Sequence, residues 1–450
     1  METIQGDERL FDVDDVFFST TDTKGVIRGA NNTFITLARH PREEMIGAPH
    51  NIIRHDDMPA GVFKLMWDDL AAGLPVCTYV LNRAGDGLDY WVFATVTAVE
   101  DGYVSVRTKP LDRDAFATVR EIYQRVRAIE RECIAQGLPR RKVAERGAQA
   151  LLAEFEALGY GSLSAFGRAA LPQEAQLLLR AGVRVPVRER SDDAADRILE
   201  LARTIEHDSD TLVGQVGGYR ELLAGLGGWM EQSPAIIRRA RRTGELVAMF
   251  DSQDAESSVP DVSERVSERT ARAVEQLGGL TSTVGALVSA VAQLSFRASL
   301  MRLHTLVLGT YAAAVVDGAE DDVPRAMTEL SHALAEDLAD IGPVCNAIVT
   351  RSDELDELMR SVVSDLDRTR RPFDRWLRAL QNEHASLREG VEGDVLALLG
   401  EAERLSEAGF PEMSALATLA ARCRGLDFSY NSDAMQGTMA AVADAIGDLV

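Results

Sequence analysis

Lysine is almost missing from this chain. Four residues (Lys24, Lys64, Lys109 and Lys142) stand against 71 acidic ones, and the formal net charge is −23. A surface of that sign repels phosphate backbones and anionic lipid, so neither nucleic acid nor a membrane surface is an expected partner. Cysteine is scarce as well. Cys77, Cys133, Cys345 and Cys423 lie far apart, with no CxxC and no Cys/His pair at metal-ligand spacing. They read as small buried side chains in a reducing compartment, not as a disulfide frame or a metal site. Long apolar runs are lacking too. The most apolar stretch, near Leu306 to Val316, is about a dozen residues, whereas a membrane span needs about 20. The opening residues METIQGDERL have no apolar signal core. A cytoplasmic protein without a membrane span is expected.

Catalytic signatures are also missing. There is no Walker loop, Gly-x-Ser-x-Gly, His-Glu-x-x-His, kinase or cyclase motif, so an enzyme is not expected. His207, His304, His332 and His384 stand alone in helical text and suit core or surface roles. The basic cluster Arg238-Arg239-Ala240-Arg241-Arg242 is expected to pair with acidic helices.

What is present follows two patterns. Up to Pro110, short β-type runs at 16–20, 25–29, 76–81, 89–99 and 103–109 alternate with turn signals such as Asp22-Thr23-Lys24-Gly25 and Ala84-Gly85-Asp86-Gly87. A helical stretch broken at Pro41, Pro49 and Pro59 separates the second run from the third. That order predicts an α+β domain: one five-stranded antiparallel sheet with helices over one face. After Pro110 the text is helical. The expected division is a helical linker domain over 111–190, a helical neck over 191–256, a hairpin over 257–385 and C-terminal helices over 386–450.

The clearest periodicity starts at Val259. Alternating steps of four and three reach Val315 through seventeen positions, fourteen of them apolar; a second series from Leu334 to Leu380 has twelve apolar of fourteen. A sustained 3.5-residue repeat predicts a left-handed coiled coil. Gly318 and Pro324 suit a helix end and a helix start, placing the turn of an antiparallel hairpin near 317–323. Gly342-Pro343 and Pro372 should kink the second arm. The seam needs cover. A homodimeric four-helix bundle is the leading expectation, and an intramolecular bundle using 191–250 or 386–450 is the alternative.

The segment from Asp22 to Pro110 resembles a PAS domain of the aerotaxis-receptor type. The likeness rests on Lys24-Gly25-Val26-Ile27, Ala30-Asn31-Asn32-Thr33-Phe34, Glu43-Glu44-Met45-Ile46-Gly47, and the run from Pro49 through His50, Arg54, His55 and Asp57 to Pro59. Phe63, Trp67, Tyr90-Trp91-Val92 and Ser105-Val106-Arg107-Thr108-Lys109-Pro110 extend it. The resemblance implies a sheet whose concave face holds FAD and reads its redox state. The positions that match the family's cofactor residues are Asn31, Arg54, His55, Asp57, Trp67 and Asn82. By residue type, Arg54 and His55 suit an anionic diphosphate or reduced flavin, Asp57 can orient them, and Trp67 can line an aromatic ring. Two alternatives stay open for the cofactor: none, or haem with His40, His50 or His55 as axial ligand by type. Arg54, His55 and Asp57 also suit a structural cap on a helix starting near Pro59, with Asp57 as N-cap.

The hairpin resembles, more weakly, the cytoplasmic tip of methyl-accepting chemotaxis receptors, through the run Phe296 to Leu303 and its distance from the turn. His304, Leu308 and Tyr311 replace the polar residues of that tip. An unidentified protein partner on the helical region is therefore expected, without activation of a chemotaxis kinase. Taken together, the sequence reads as a soluble redox or oxygen sensor with a coiled-coil output; the alternative is a ligand-free scaffold.

Overall fold

The computed structural model describes residues 8–188, 193–251, 260–320, 323–385, 393–426, 428 and 430–449. Five strands, β1 (Phe17–Asp22), β2 (Ile27–Ala30), β3 (Val76–Arg83), β4 (Asp89–Val99) and β5 (Gly102–Thr108), form an antiparallel sheet in the order β2-β1-β5-β4-β3. The order of strands and helices is the one the turn signals predict. Alternation along each strand sorts side chains between two faces. Phe17 turns inward and stacks on Phe34 at 5.6 Å, while its neighbour Phe18 meets Tyr311 on the outer side at 5.2 Å.

The inner face carries three short helices, α1 (Asn32–Ala38), α2 (Arg42–Met45) and α3 (Ala60–Ala71), with a 3₁₀ turn at His50–Ile53. Phe17, Ile27, Phe34, Met45, Ile53, Tyr90 and Val92 form the core there. Helix α3 begins after Pro59 with no cap of its own. Its first N–H groups, of Ala60 and Gly61, donate to the Glu130 carboxylate at 2.9 and 2.8 Å. The expected cap Asp57 instead pairs with Arg131. The N-cap position is held by Pro59, two residues beyond Asp57, and Pro59 has no side chain that can cap. Gly61 lies so close to Gly147 that a Cβ would sit 2.2 Å from the Gly147 carbonyl carbon, which brings the buried Glu130 up to the helix end.

Three further helices, α4 (Arg113–Ala135), α5 (Arg140–Ala157) and α6 (Leu163–Arg180), follow the sheet. Tyr79 on the outer face packs against Phe116 of α4 and Phe166 of α6. Its hydroxyl donates to Glu174 at 2.8 Å, and the same carboxylate accepts the N–H groups of Leu111 and Asp112. The exit from β5 is thereby tied to α6.

The remaining helices are α7 (Ala194–Met230), α8 (Ser233–Asp251), α9 (Pro260–Val316), α10 (Val323–Ala385), α11 (Gly393–Ala408), α12 (Met413–Arg424) and α13 (Ser432–Gly447). The chain groups into two compact units, one of residues 1–213, 292–343 and 430–450, the other of 214–291 and 344–429. Helices α9 and α10 form the predicted antiparallel hairpin within each. In the first unit His304 Nδ1 lies 2.7 Å from Asp337, and Arg297 pairs with Asp340 at 2.5 Å. In the second, Gln276 donates to Ser361 at 2.8 Å and Arg272 reaches Asp365 at 3.7 Å. Every seam position from Ser263 to Ala312 and from Leu334 to Leu380 is buried. Val259, Asp321 and Asp322 lie outside the described residues.

Helix α10 runs unbroken through Pro343 and Pro372. Pro372 has no N–H for the Arg368 carbonyl, and Arg269 Nη1 donates to that oxygen at 2.7 Å. In the second unit one end of the seam is covered from within the chain. Leu246 and Val247 of α8, Val266 of α9, Phe373, Trp376 and Leu377 of α10, and Leu399 and Ala402 of α11 share one core. At this end of the seam, cover comes from segments 191–250 and 386–450 of the same chain. Arg239 and Arg242 of the basic cluster pair with Glu412 and Glu401. Helix α9 is long and apolar enough, by composition alone, to cross a membrane. Of its most apolar 18-residue stretch, 39% is buried.

Candidate functional site

A cavity of about 330 Å³ opens between the inner face of the sheet, the 3₁₀ turn and α3. Its walls are apolar and aromatic: Phe63, Met66 and Trp67 from α3, Val80, Ala94, Val96 and Tyr103 from the strands. The Trp67 ring meets Tyr103 edge-on at 5.4 Å and lies against Gly25. Gly25, at φ +77°, has no side chain to displace it. Trp67 remains partly exposed at the edge of the cavity.

The polar part of the lining has one sign. Lys24, Arg54, Arg107 and His50 contribute, and no Asp or Glu does. Arg107 is 4% exposed, and its hydrogen bonds go to neutral partners: Ser105 O at 3.3 Å, Ser19 Oγ at 3.1 Å and His50 Nε2 at 2.6 Å. Desolvation pulls its pKa down to about 10. The Phe34 ring, 4.8 Å from the guanidinium, is its other support. Accepting from Arg107 keeps His50 neutral, and burial with the neighbouring cation lowers its pKa to about 3. Arg54 lies over the Phe63 ring at 4.0 Å and donates to the Met58 carbonyl at 3.2 Å. Burial lowers its pKa as well. Asn82 Nδ2 and Ser105 Oγ are buried in this lining with no hydrogen-bond partner.

The six residues expected at a cofactor site separate into three groups. Arg54, Trp67 and Asn82 line the cavity. His55 and Asp57 line a second cleft of about 480 Å³, across β3, with Arg83, Asp89, Arg120 and Arg127. There His55 Nδ1 accepts the Asp57 N–H at 2.9 Å and Nε2 faces Asp89 at 3.1 Å. Asn31 caps α1: its Oδ1 accepts from Phe18 and Phe34 N–H, and its Nδ2 donates to the Val16 carbonyl. Of the histidines considered for haem, His40 pairs with Glu44, and His50 is engaged with Arg107 and Ser19. Among the described residues no group of three or more His, Cys, Asp or Glu side chains could hold a metal ion.

Arg107 lies in the Ser105–Pro110 motif but is not among the six expected cofactor positions. The signal was in the strand: alternation through Tyr103, Ser105 and Arg107 puts all three on the cavity face.

This sheet order, with helices over the inner face and a ligand-sized cavity beneath them, defines a PAS domain, and the domain is of the aerotaxis-receptor type. The chain is 37% identical over 120 residues to the aerotaxis receptor of Escherichia coli (strain K12), an alignment covering 26% of this chain. The chain thus spans about a quarter of the length of that curated relative (24%). No family model matches. Similar solved structures include a PAS domain from Colwellia psychrerythraea, at 17% identity over 22% of this chain and 89% of that one, TM-score 0.21. The blue-light photoreceptor Aureochrome1 LOV in its light state is 24% identical over 23% of this chain and 89% of its own, also at TM-score 0.21.

Proposed function

We propose that this chain is a signal-transduction sensor whose PAS cavity takes an anionic, aromatic ligand of the flavin class, with FAD as the ligand the aerotaxis-receptor likeness favours, and that it reads redox state or oxygen. The observation that carries this reading is Arg107: a buried guanidinium facing a cavity without a single carboxylate in its lining. An isolated buried charge costs several kcal/mol, and an anionic ligand offsets that cost. The donor set suits a flavin. Arg54 and Arg107 would hold negative charge, the unpaired Asn82 amide would donate to a ring acceptor, and Phe63, Trp67 and Tyr103 would flank the ring. A bound flavin supplies a ring whose charge and hydrogen bonding change on reduction. The helical region is the output, answering by a change of packing.

The colour of the purified full-length chain tests this. A yellow preparation that releases FAD on denaturation is the expected result. A colourless one from flavin-replete cells would overturn the flavin reading in favour of a ligand-free scaffold.

A further inference from the structure

The end of the α9–α10 hairpin is docked on the PAS domain inside the first unit. Tyr311 packs edge-on against Phe18. The Glu320 carboxylate is buried and accepts the Asn32 N–H at 2.6 Å and Arg42 Nη2 at 3.3 Å. Asn32 Nδ2 donates to the Ala319 carbonyl. Strand β1 runs between this dock and the cavity. Its residues alternate: Phe17 and Ser19 face the arginine, Phe18 faces Tyr311. Ser19 is also paired across the sheet with Ala30, whose carbonyl accepts Arg42 Nη1 at 2.8 Å.

We propose that Arg107 transmits the cavity's charge state to the hairpin end through β1, so that an anion in the cavity loosens the dock. The inference rests on reading the cavity as an anion site. An anion competes with Ser19 Oγ and His50 Nε2 for the guanidinium, because an ionised acceptor outbids neutral ones. Freed from Arg107, Ser19 leaves β1 held less firmly beneath Phe18 and Ala30. Phe18 carries the Tyr311 contact, and the Ala30 carbonyl holds Arg42, one of the two groups that donate to Glu320. Arg107 acts here as a positioning residue, since it touches the dock only through β1.

Hydrogen–deuterium exchange on the full chain, freed of small molecules, compares the wild type with Arg107→Met and Arg107→Lys. Methionine removes both the charge and the hold on Ser19, as an anion does, while Ser19 and His50 can still bond each other. Exchange over 309–320 should be at least threefold faster in the methionine variant, whose melting temperature should equal or exceed that of the wild type. Helix α12 should exchange unchanged. The lysine variant should retain the wild-type pattern, which a loss of packing alone would not restore. Saturating FAD on the wild type should speed the same peptides. Unaltered exchange over 309–320 in the methionine variant overturns the coupling even if the protein is yellow. So does a uniform rise across all peptides, which marks plain destabilisation. A colourless wild type whose methionine variant still shows the local change refutes the flavin and leaves the coupling standing.

Discussion

His50 shows what a single half-buried side chain does to stability. In the unfolded chain it takes up a proton below about pH 6.5, but in the fold it stays neutral until about pH 3. Between those values the unfolded state binds more protons, so stability falls as the pH drops through that window. The contribution reaches about 1.4 kcal/mol per pH unit, or roughly 2 kcal/mol by pH 5. His50→Gln keeps an acceptor for Arg107 and removes the titration. Urea midpoints from pH 7 to pH 5 should therefore fall less steeply in the variant; parallel slopes would show that His50 titrates normally in the fold. Arg54 gives a second prediction at this scale. Its guanidinium lines the cavity and makes one backbone hydrogen bond. Arg54→Ala should release bound flavin at least tenfold more readily while far-UV circular dichroism stays unchanged. Retention of stoichiometric FAD would remove Arg54 from the site. Asp57, in the other cleft beside Arg131, should prove less sensitive than Arg54 in the same assay.

Among elements, what could be read from the sequence was whatever has a local period. Strand alternation and turn residues located β1 to β5 within a few residues, and the 3.5-residue repeat located both arms of the hairpin with every described seam position from Ser263 to Ala312 buried. Contacts between segments far apart in the chain leave no such trace. Glu130 caps a helix that begins seventy residues earlier, and no pattern near Pro59 announces it. Arg269 serves the carbonyl that Pro372 abandons, a match visible only once the hairpin register is known. The same holds for the site: Arg54, Trp67 and Asn82 were found through a motif, while Arg107 needed the strand's facing. The α3 start offers a test at this scale. Gly61→Ala would drive a methyl group into the Gly147 backbone, at a cost of about 1–3 kcal/mol. Glu130→Ala would strand two N–H groups, for about 1–3 kcal/mol. Because both changes act on one junction, their effects on the urea midpoint should combine to less than their sum. Full additivity would mean that the close approach and the cap are independent.

For the whole molecule, the question is what covers the coiled-coil seam. Leu287 is fully buried in the second unit, on the α9 arm of the hairpin. If cover comes from the same chain, a charge at this position has nowhere to go but the interior. Leu287→Asp places an unpaired carboxylate there, which costs about 3–5 kcal/mol unless it takes up a proton. The damage should then be intramolecular. Hydrogen exchange should accelerate in the 260–291 portion of α9 and the 344–385 portion of α10, and helical circular dichroism should fall, with no change in the particle's stoichiometry by light scattering. A seam shared between two copies predicts the opposite pairing of results: molar mass halved and helicity largely kept. That outcome would support the homodimeric bundle and make a second copy part of the output. Small and polar seam residues sharpen the comparison. Ser263, Thr270 and Ser352 are buried where larger apolar side chains would pack more tightly. The Thr270 hydroxyl turns back to bond the Val266 carbonyl of its own helix. Thr270→Val removes that hydroxyl at nearly constant volume and should raise the unfolding temperature of a self-covered bundle by a few degrees at every protein concentration. A rise that grows with concentration would identify the seam as intermolecular instead.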